Sequence, residues 1–385
     1  MNGPIIVPMI NLAFDAKRFF QNSTGLGNYS RTLILNLNKY HSRLFKFFLF
    51  SPISSENYFS SQKKQSFITV FPPWYKRFFW RIFGVPTDCK KNLIHIYHGL
   101  SNELPVEIGK HPNIKWVVTI HDIAFLYYKM DYSFFDRFIH FQKIKYSCQK
   151  ADVVIAVSEY TKTDICKKFN LPTEKVAVIY QTVNDTFKKI YTKADFHQVE
   201  KLYQLPNRYF LSVGSITARK NLLSALKAWK GLPTEYQWPF LIIGKPNRKY
   251  FKKIKEELEL FKEIYSDKII FKNVTNDHLP IIYQNAEIFI YPSYFEGFGI
   301  PVLEALYSGT PVITSKTTSL AEVGGPGAYL VDPANFEEIK EGILFFMQHR
   351  EQRELAIKKG LEHIKKFNAQ VVTDKLVHVY QSLLQ

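Results

Sequence analysis

Two glutamates enclose a glycine-rich turn in the second half of the sequence. Glu296 and Glu304 are separated by seven residues, which begin Gly297-Phe298-Gly299-Ile300-Pro301. The apolar run Ile288–Tyr291 before them predicts a buried strand, and Pro301 is typical of the first turn of a helix. Glycines let a ligand approach the backbone closely, and the start of a helix attracts anions. The turn therefore predicts a diphosphate site, whereas the alternative is a surface loop with two solvated carboxylates.

A second junction between a strand and a helix carries two cations. The apolar run Tyr209–Val213 ends in Gly214, and Arg219 and Lys220 follow directly before a predicted helix. Cations at the start of a helix are unfavourable unless an anion compensates them, because that end of the helix is already positive. A diphosphate would supply the anion, with the planar fork of Arg219 and the point charge of Lys220 on its oxygens. The alternative is a solvated pair of cations.

The first half of the sequence contributes a histidine and a glycine-containing loop. His121 and Asp122 follow the apolar run Lys115–Ile120. The histidine is either reactive or structural, and Asp122 either orients its ring or caps the next segment. The loop Thr24-Gly25-Leu26-Gly27 has Ser30 where a dinucleotide-binding fingerprint requires a third glycine, and no acid follows about 20 residues later. The loop therefore argues against an NAD-binding site.

Short apolar runs alternate with amphipathic segments along the sequence, which is typical of parallel α/β units. The apolar runs predict strands at Met9–Phe14, Lys46–Phe50, Ile94–Tyr97, Lys115–Ile120, Val153–Val157, Val176–Ile179, Tyr209–Val213, Phe240–Ile243, Ile269–Phe271, Ile288–Tyr291, Pro311–Thr314 and Ala328–Val331. A period of 3.6 residues predicts helices at Tyr29–Leu37, Asn221–Trp229 and Asp277–Asn285. Residues 181–195 lack this periodicity, so we interpret them as the connection between two domains, at 1–183 and 184–370.

The charge of the chain narrows the classes of partner. Its 385 residues carry 51 Lys+Arg against 34 Asp+Glu, a net charge of +17, and most of this excess lies in residues 1–185. The excess fits a solvated surface or contact with an anionic membrane, whereas no recognition motif for nucleic acid accompanies it. Pro73–Phe83 mixes aromatic residues with three cations, which predicts either a core helix or a segment that docks at a lipid interface.

Other features of the sequence bear on its compartment. Cys89, Cys148 and Cys166 form neither a paired framework nor a metal-ligand spacing. No apolar run approaches about 18 residues, and the N-terminal residues lack the cationic region and cleavage site of a signal peptide. We therefore expect a cytoplasmic protein without a bound metal. The positive net charge also predicts a peripheral contact with the inner face of the membrane.

Taken in their order along the chain, these motifs resemble those of the family 4 glycosyltransferases, retaining enzymes of the GT-B fold. The matching segments are the two glutamates with their intervening residues, Arg219-Lys220-Asn221, Thr24-Gly25-Leu26-Gly27, His121-Asp122, Val157–Thr161 and Leu320–Gly325. The similarity spans nearly the whole chain. It implies two Rossmann-like α/β domains facing across a cleft, an acceptor domain at residues 1–183 and a nucleotide-sugar donor domain at residues 184–370. A C-terminal helix at residues 371–385 would pack back on the first domain.

The resemblance also implies catalytic and donor-binding roles for the matching residues. Arg219 and Lys220 would neutralise the donor's diphosphate, Glu304 would bind ribose hydroxyls, and Glu296 would contact the transferred sugar. His121 would lie near that sugar and the acceptor hydroxyl. The remaining donor-binding residues would be Gly25, Gly27, Gly214, Val274, Gly297, Phe298, Gly299 and Ile300. The chain departs from the family at Gln181–Asp185, where relatives often have Asn-Gly-Val-Asp, and near the base pocket at Phe271–Val274.

The activity that the resemblance implies is a retaining, metal-independent transfer of a hexose of the mannose or glucose type. The donor would be a GDP- or UDP-linked sugar, with GDP-mannose favoured, and no separate cofactor would be needed. The acceptor would be a hydroxyl of a glycan or lipid-linked molecule in cell-surface polysaccharide synthesis. A non-catalytic nucleotide-sugar-binding scaffold is the alternative, whereas a phosphorylase-like enzyme would need a pyridoxal-binding lysine for which the sequence has no signature.

Overall fold

The computed structural model describes residues 9–22, 24–53, 67–128, 133–259 and 267–385, and the chain forms two compact units. The first unit comprises residues 1–182 together with 367–385, and the second comprises residues 183–366. Each unit is a parallel β-sheet with helices packed against it. Within the described residues, no helix is long and apolar enough to cross a membrane.

The first unit contains a sheet of seven parallel strands in the order β3-β2-β1-β4-β5-β6-β7. These strands are β1 Ile10–Asp15, β2 Phe45–Phe50, β3 Phe67–Val70, β4 Ile96–Gly99, β5 Lys115–Ile120, β6 Val153–Ala156 and β7 Val176–Val178. Two apolar clusters of buried residues involve alternate residues of the same strands, such as Leu12 and Ala13. Burial on both faces explains why these strands read as continuous apolar runs in the sequence.

Helices and a C-terminal segment complete the first unit. The helices are α1 Lys17–Gln21, α2 Gly25–His41, α3 Arg77–Phe79, α4 Val85–Lys91, α5 Ala124–Tyr127, α6 Phe134–Lys150 and α7 Glu159–Phe169, with 3₁₀ turns at Trp74–Lys76, Ile108–Lys110 and Thr173–Lys175. The last helix of the chain, Ala369–Ser382, also belongs to this unit and packs against α2.

A buried chain of polar side chains attaches this last helix to the sheet. The Tyr380 hydroxyl lies 2.6 Å from His98 Nδ1, and His98 Nε2 lies 2.8 Å from the Thr119 hydroxyl. The Thr119 hydroxyl also contacts the hydroxyl of Tyr29 in α2 at 3.0 Å. Burial lowers the pKa of His98 to about 3, so the imidazole is neutral and offers one donor and one acceptor.

The second unit contains a sheet of six parallel strands in the order β10-β9-β8-β11-β12-β13. Its strands are β8 Phe210–Val213, β9 Phe240–Ile243, β10 Ile269–Lys272, β11 Ile288–Tyr291, β12 Val312–Ser315 and β13 Ala328–Val331. Its helices are α8 Lys193–Tyr203, α9 Leu222–Lys230, α10 Arg248–Glu259, α11 Leu279–Gln284, α12 Ile300–Tyr307, α13 Ser319–Gly324, α14 Phe336–Gln348 and α15 Arg350–His363, and the helix Ala369–Ser382 is α16. Further 3₁₀ turns span Asp185–Lys188, Ala218–Lys220, Thr234–Tyr236, Gly325–Gly327 and Ile364–Phe367.

The sequence allowed two interpretations of the aromatic segment at residues 74–83, a core helix or a segment at a lipid interface. The structure rules out the core helix. It consists of a 3₁₀ turn, the short helix α3 and a π-helical turn at Trp80–Gly84. Trp80 alone of its aromatic residues is buried, where it stacks on Phe50 and donates to Asp88 at 2.7 Å. The others are exposed: Trp74 by 79%, Tyr75 by 65%, Phe78 by 91%, Phe79 by 63% and Phe83 by 56%. Trp80 therefore anchors the segment to the first unit, while the other aromatic side chains present an apolar surface to solvent.

Candidate functional site

The strand order of the second unit reverses between β8 and β11, which are neighbours in its sheet. The loops that follow two such strands diverge and leave a crevice at their carboxyl ends, where doubly wound sheets bind ligands. Gly214 follows β8, and residues 292–299 follow β11. The two junctions that the sequence pattern singled out therefore lie side by side at this crevice.

Two glycines shape the backbone of these junctions. Gly214 has a φ of 145° and Gly299 has a φ of 106°, values that residues with side chains rarely adopt. A Cβ atom at Gly299 would in addition lie 2.6 Å from Leu320 Cδ2. Gly299 directly precedes α12, so a larger residue there would strain the backbone at the start of that helix and require Leu320 to move.

Asn221 ties the two junctions together. Its backbone is left-handed, with φ 58° and ψ 36°, a conformation that asparagine tolerates better than most residues. Its buried side-chain amide donates to the carbonyl oxygens of Pro292 at 3.0 Å and of Pro333 at 2.6 Å. The asparagine of the Arg-Lys-Asn element is therefore a structural residue of the site.

Glu296 is the centre of a buried hydrogen-bond network. Its Oε1 atom accepts from the Ser293 hydroxyl at 2.8 Å and from the Tyr291 hydroxyl at 3.1 Å, and it lies 3.2 Å from Arg219 Nη1. Lys220 donates to the same oxygen and to the Tyr291 hydroxyl. Burial alone would raise the pKa of Glu296, but the charges of Arg219 and Lys220 outweigh it and lower the pKa to about 2. The side chain is therefore a carboxylate at neutral pH.

This network explains how the fold accommodates two adjacent cations directly before a helix. Arg219 and Lys220 lie in the turn before α9, where the helix dipole opposes them. The carboxylate of Glu296 supplies a compensating anion from within the chain, so the three side chains together carry one net positive charge. A phosphate bound here would meet this residual charge and two cations that are already oriented.

Glu304 has a different environment, inside α12. Its Oε2 atom accepts a hydrogen bond from the buried Tyr283 hydroxyl at 3.0 Å. Burial raises the pKa of Glu304 to about 8, and the hydrogen bond from Tyr283 offsets only part of this effect. Glu304 is therefore mainly a neutral acid near pH 7, whereas Glu296 is an anion, although the two belong to one motif.

Ser319, a residue that the sequence pattern did not single out, holds the glycine-rich turn. Its buried hydroxyl lies 2.9 Å from the carbonyl oxygens of Glu296 and Phe298. Ser293 and Tyr291 likewise complete the network around Glu296 without having been predicted. Serine and tyrosine at these positions carry no distinctive spacing, so only the three-dimensional contacts identify them.

The other predicted donor-binding positions of this unit lie at the same edge of the sheet. Gly297 and Phe298 lie in the turn, and Ile300 is the first residue of α12. Val274 lies two residues after β10, the edge strand, which β9 separates from β8. Two strand spacings correspond to about 10 Å, so Val274 is displaced sideways from the carboxylate network.

Gly25 and Gly27 are not in a loop, contrary to expectation, because they form the first turn of α2. A Cβ atom on Gly27 would lie 1.8 Å from the carbonyl oxygen of Asn22, so the fold itself requires this glycine. A Cβ atom on Gly25 would meet no atom within 4 Å. Packing therefore accounts for Gly27, whereas Gly25 leaves the start of the helix open to a ligand.

His121 follows β5 in the first unit and is buried. Its Nε2 atom lies 2.9 Å from the Leu100 carbonyl oxygen, and Gln181 donates to its Nδ1 atom at 3.2 Å. Burial lowers the pKa of His121, against the opposing effect of the hydrogen bond to Leu100. The imidazole is thus neutral and held from both sides. Asp122 caps the next turn through the Ala124 amide at 2.9 Å, which decides between its two predicted roles.

Two family models match the chain, and they cover most of it. The model of group 1 glycosyl transferases matches residues 194–363, and the model of glycosyltransferase family 4 matches residues 25–187. The O-antigen chain mannosyltransferase B of Escherichia coli is 30% identical over 292 residues, which are 75% of this chain and 74% of that protein. This chain is a family 4 glycosyltransferase. The motif resemblance in the sequence is therefore confirmed.

Further comparisons with this glycosyltransferase agree in family and in fold. The O-antigen chain mannosyltransferase RfbU of Salmonella typhimurium is 30% identical over 335 residues, covering 83% of this chain and 86% of that protein. The crystal structure of a glycosyltransferase from Rickettsia africae aligns with a TM-score of 0.77 at 17% identity, over 98% of this chain and 100% of that chain. The two α/β units with parallel sheets are those of the GT-B fold, as predicted.

Proposed function

We propose that this glycosyltransferase transfers a hexose, with mannose favoured, from a GDP- or UDP-linked donor. The acceptor is a hydroxyl of a glycan or lipid-linked molecule in cell-surface polysaccharide synthesis. The observation that carries the proposal is the network of Glu296, Arg219 and Lys220 at the point of strand reversal. The names of the two mannosyltransferase relatives support mannose as the transferred sugar.

The network suits departure of a nucleoside diphosphate without a metal ion. Negative charge develops on the diphosphate as the bond to the sugar breaks, and Arg219 and Lys220 would stabilise it electrostatically. Glu296, kept ionised by its neighbours, would face the positive charge that develops on the sugar ring. The acceptor hydroxyl attacks from the face that the diphosphate leaves, so the configuration is retained; this step rests on the resemblance to the family.

The aromatic segment at residues 74–83 supports a peripheral contact with an anionic membrane. Four of its exposed aromatic side chains, at Trp74, Tyr75, Phe78 and Phe79, flank the cations Lys76 and Arg77. Aromatic side chains insert at the boundary between headgroups and acyl chains, and cations add attraction to anionic lipids. Such a contact would bring the first unit to a lipid-linked acceptor at the inner face of the membrane.

Nucleotide binding and turnover test the proposal. GDP or UDP should raise the melting temperature in the presence of a chelator, because about 2.7 kcal/mol of stabilisation is expected at 100 times the dissociation constant. Lys220→Ala should lower turnover of GDP-mannose by about 10²–10³-fold, whereas Lys253→Ala, on the exposed face of α10, should not. Stabilisation that a chelator removes would contradict the metal-free mechanism. Nucleotide binding without hydrolysis or transfer of any donor sugar would favour the non-catalytic scaffold.

A further inference from the structure

His121 has a partner within the first unit at each of its two ring nitrogens. Nε2 lies 2.9 Å from the Leu100 carbonyl oxygen, and Nδ1 lies 3.2 Å from the side-chain amide nitrogen of Gln181. Because a carbonyl oxygen only accepts, Nε2 carries a proton, and because an amide nitrogen only donates, Nδ1 presents its lone pair. Protonation of Nδ1 would set two donors against each other unless the Gln181 amide rotated. The two contacts together select one neutral tautomer of the imidazole.

Further contacts fix the position of the ring. The Tyr29 ring packs edge-on against the imidazole, with ring centroids 4.6 Å apart and an interplanar angle of 89°. The Tyr29 hydroxyl is in turn held by the Thr119 hydroxyl at 3.0 Å. The His121 backbone amide donates to Asn102 Oδ1 at 2.7 Å. Gln181 itself is buried, with 7% of its surface exposed, so its amide has little space in which to turn away from the ring.

The titratable groups around the ring favour its neutral form. Burial lowers the pKa of His121, whereas the hydrogen bond to the backbone and the charge of Asp122 oppose this effect. Tyr29 of α2 packs on the ring, and His98 of β4 interacts with it electrostatically. Burial raises the pKa of Tyr29 and lowers the pKa of His98 to about 3, so both are uncharged at neutral pH. Neither of them supplies a negative charge that would stabilise an imidazolium.

We propose that Gln181 is a positioning residue of the transfer reaction, which holds His121 as the neutral Nε2–H tautomer. Positive charge develops on the transferred sugar as its bond to the diphosphate breaks, and an imidazolium beside that sugar would oppose it. With both nitrogens engaged, His121 faces the sugar as an uncharged group of fixed orientation and takes no proton from the acceptor hydroxyl. This inference rests on the proposed function, because it takes from that function the location of the sugar near His121.

Nitrogen NMR of the full chain, labelled with ¹⁵N-histidine, reads the tautomer without any substrate. The wild type should show a protonated Nε2 and an unprotonated Nδ1 for His121 at about pH 7, and His121→Asn assigns these signals by their loss. Gln181→Met keeps the length of the side chain but removes the donor, so the Nδ1 signal should shift. Gln149→Met, at an exposed glutamine of α6, should leave it unchanged. A protonated Nδ1 in the wild type, or the same His121 signals in wild type and Gln181→Met, would overturn the proposal.

Steady-state kinetics, with the better donor of GDP-mannose and UDP-glucose, distinguish positioning from a merely structural role. Gln181→Met should lower kcat by about 3–10-fold with little change in the KM for donor, since a buried hydrogen bond to the ring is lost. Gln181→Glu replaces the donor with an acceptor, which stabilises an imidazolium. Its kcat should therefore fall as the pH decreases from about 8 to about 5.5, more steeply than that of the wild type or of Gln149→Glu. Identical pH profiles and kcat values in all variants would overturn the role of Gln181.

Failure of this inference is distinguishable from failure of the proposed function. Absence of stabilisation by GDP and UDP, together with absence of turnover of both donors, would contradict the proposed function and with it the role of Gln181 in transfer. Wild-type turnover with unaltered kinetics in the Gln181 variants would instead overturn the role of Gln181 alone. Melting temperatures of the variants without nucleotide show whether a loss of kcat reflects a loss of folded protein.

Discussion

Glu296 and Glu304 belong to one motif, yet their surroundings give them opposite charges near neutral pH. Glu296 accepts from two cations and two hydroxyls, and its pKa is lowered to about 2. Glu304 has the Tyr283 hydroxyl as its hydrogen-bond partner, and burial raises its pKa to about 8. The difference follows from position, because Glu296 lies beside the turn that carries Arg219 and Lys220, whereas Glu304 lies within a helix.

The two glutamates should therefore differ in their kinetic effects. If Glu296 faces the transferred sugar as proposed, Glu296→Gln should lower kcat by about 10²–10³-fold with a smaller change in the KM for donor, because charge would develop beside it only during reaction. Glu304→Gln should raise the KM for donor more than it lowers kcat, because a ribose bound to Glu304 would be unchanged by the reaction. Steady-state kinetics with one donor measure both effects, with Glu235→Gln as the exposed control.

The contrary outcomes are distinct for the two variants. If both change only the KM for donor, Glu296 binds substrate but does not contribute to the reacting centre. If neither changes any kinetic parameter, the glycine-rich turn is structural.

Donor affinity should depend on pH through Glu304. Ribose hydroxyls donate to a carboxylate better than to a neutral acid, so donor binding should favour loss of the proton from Glu304. With a pKa of about 8, donor affinity should rise by roughly 25-fold between about pH 6.5 and 8.5 if only the ionised form binds. Calorimetric titration of GDP across this range measures the slope. An equal slope in Glu304→Gln would assign the pH dependence to another group.

The chemistry of the site could be predicted from residue types and spacing, but its contacts could not. Adjacent cations before a helix indicated an anion site because they are locally unfavourable without a partner, and the glycine-rich turn indicated one because the start of a helix attracts anions. That Glu296 itself is a partner of Arg219 and Lys220 depends on the adjacency of β8 and β11, which lie about 80 residues apart in sequence. The sideways displacement of Val274 is likewise set by strand order, which periodicity does not encode.

At the scale of elements, the exposed aromatic segment predicts a measurable affinity for membranes. Vesicles of phosphatidylcholine with phosphatidylglycerol should carry the protein in flotation at low salt, and vesicles of phosphatidylcholine alone should carry less. Changing Lys76 and Arg77 to Gln should weaken binding by about 30-fold, since each cation contributes about 1 kcal/mol. Phe78→Ser with Phe79→Ser should also weaken it, whereas Phe336→Ser in the second unit should not. If all variants float with the vesicles to the same extent, the aromatic segment does not mediate membrane binding.

The C-terminal helix α16 should depend on the hydroxyl of Tyr380. Tyr380→Phe removes the partner of His98 Nδ1 in a buried site, which should lower the free energy of unfolding by about 1–3 kcal/mol. Urea denaturation followed by tryptophan fluorescence measures the change. Tyr75→Phe, at an exposed tyrosine, is the control. Equal stability of Tyr380→Phe and wild type would show that apolar packing alone holds α16.

Most strands could be predicted from the sequence, whereas β3 and the structure of the aromatic segment after it could not. Each of the twelve predicted apolar runs overlaps a strand, because a strand buried on both faces must be apolar along its length. β3 was missed because it is an edge strand, and its central residues Ile68 and Thr69 are exposed. In the aromatic segment the same residue types are consistent with burial or with a lipid contact, and composition does not distinguish the two environments.

At the scale of the whole molecule, the second unit is an insertion within the first. Residues 183–366 form it as one continuous stretch, whereas the first unit needs both 1–182 and 367–385. A fragment of residues 183–366 should therefore unfold cooperatively by itself. A fragment of residues 1–182 lacks the buried side chains of Val372, Leu376 and Tyr380, each worth about 1.5–3 kcal/mol, and should not fold stably.

Thermal unfolding of the purified fragments, followed by circular dichroism, checks this expectation. Joining residues 1–182 to 367–385 through a short flexible linker should restore folding, because it returns α16 to the core. Stable folding of 1–182 alone would show that α16 is dispensable for the first unit.

This arrangement has a consequence during translation on the ribosome. Proteins with consecutive domains fold from the N-terminus onward, but here the half that emerges first must wait for its final helix. Residues 183–366 are synthesised in the meantime, which takes roughly 10–40 s at roughly 5–20 residues per second. During that interval the side chains that α16 later covers, such as Phe45 beneath Tyr380, are accessible to chaperones and to other nascent chains. The second unit can thus reach its native state on the ribosome before the first unit, which precedes it in the message.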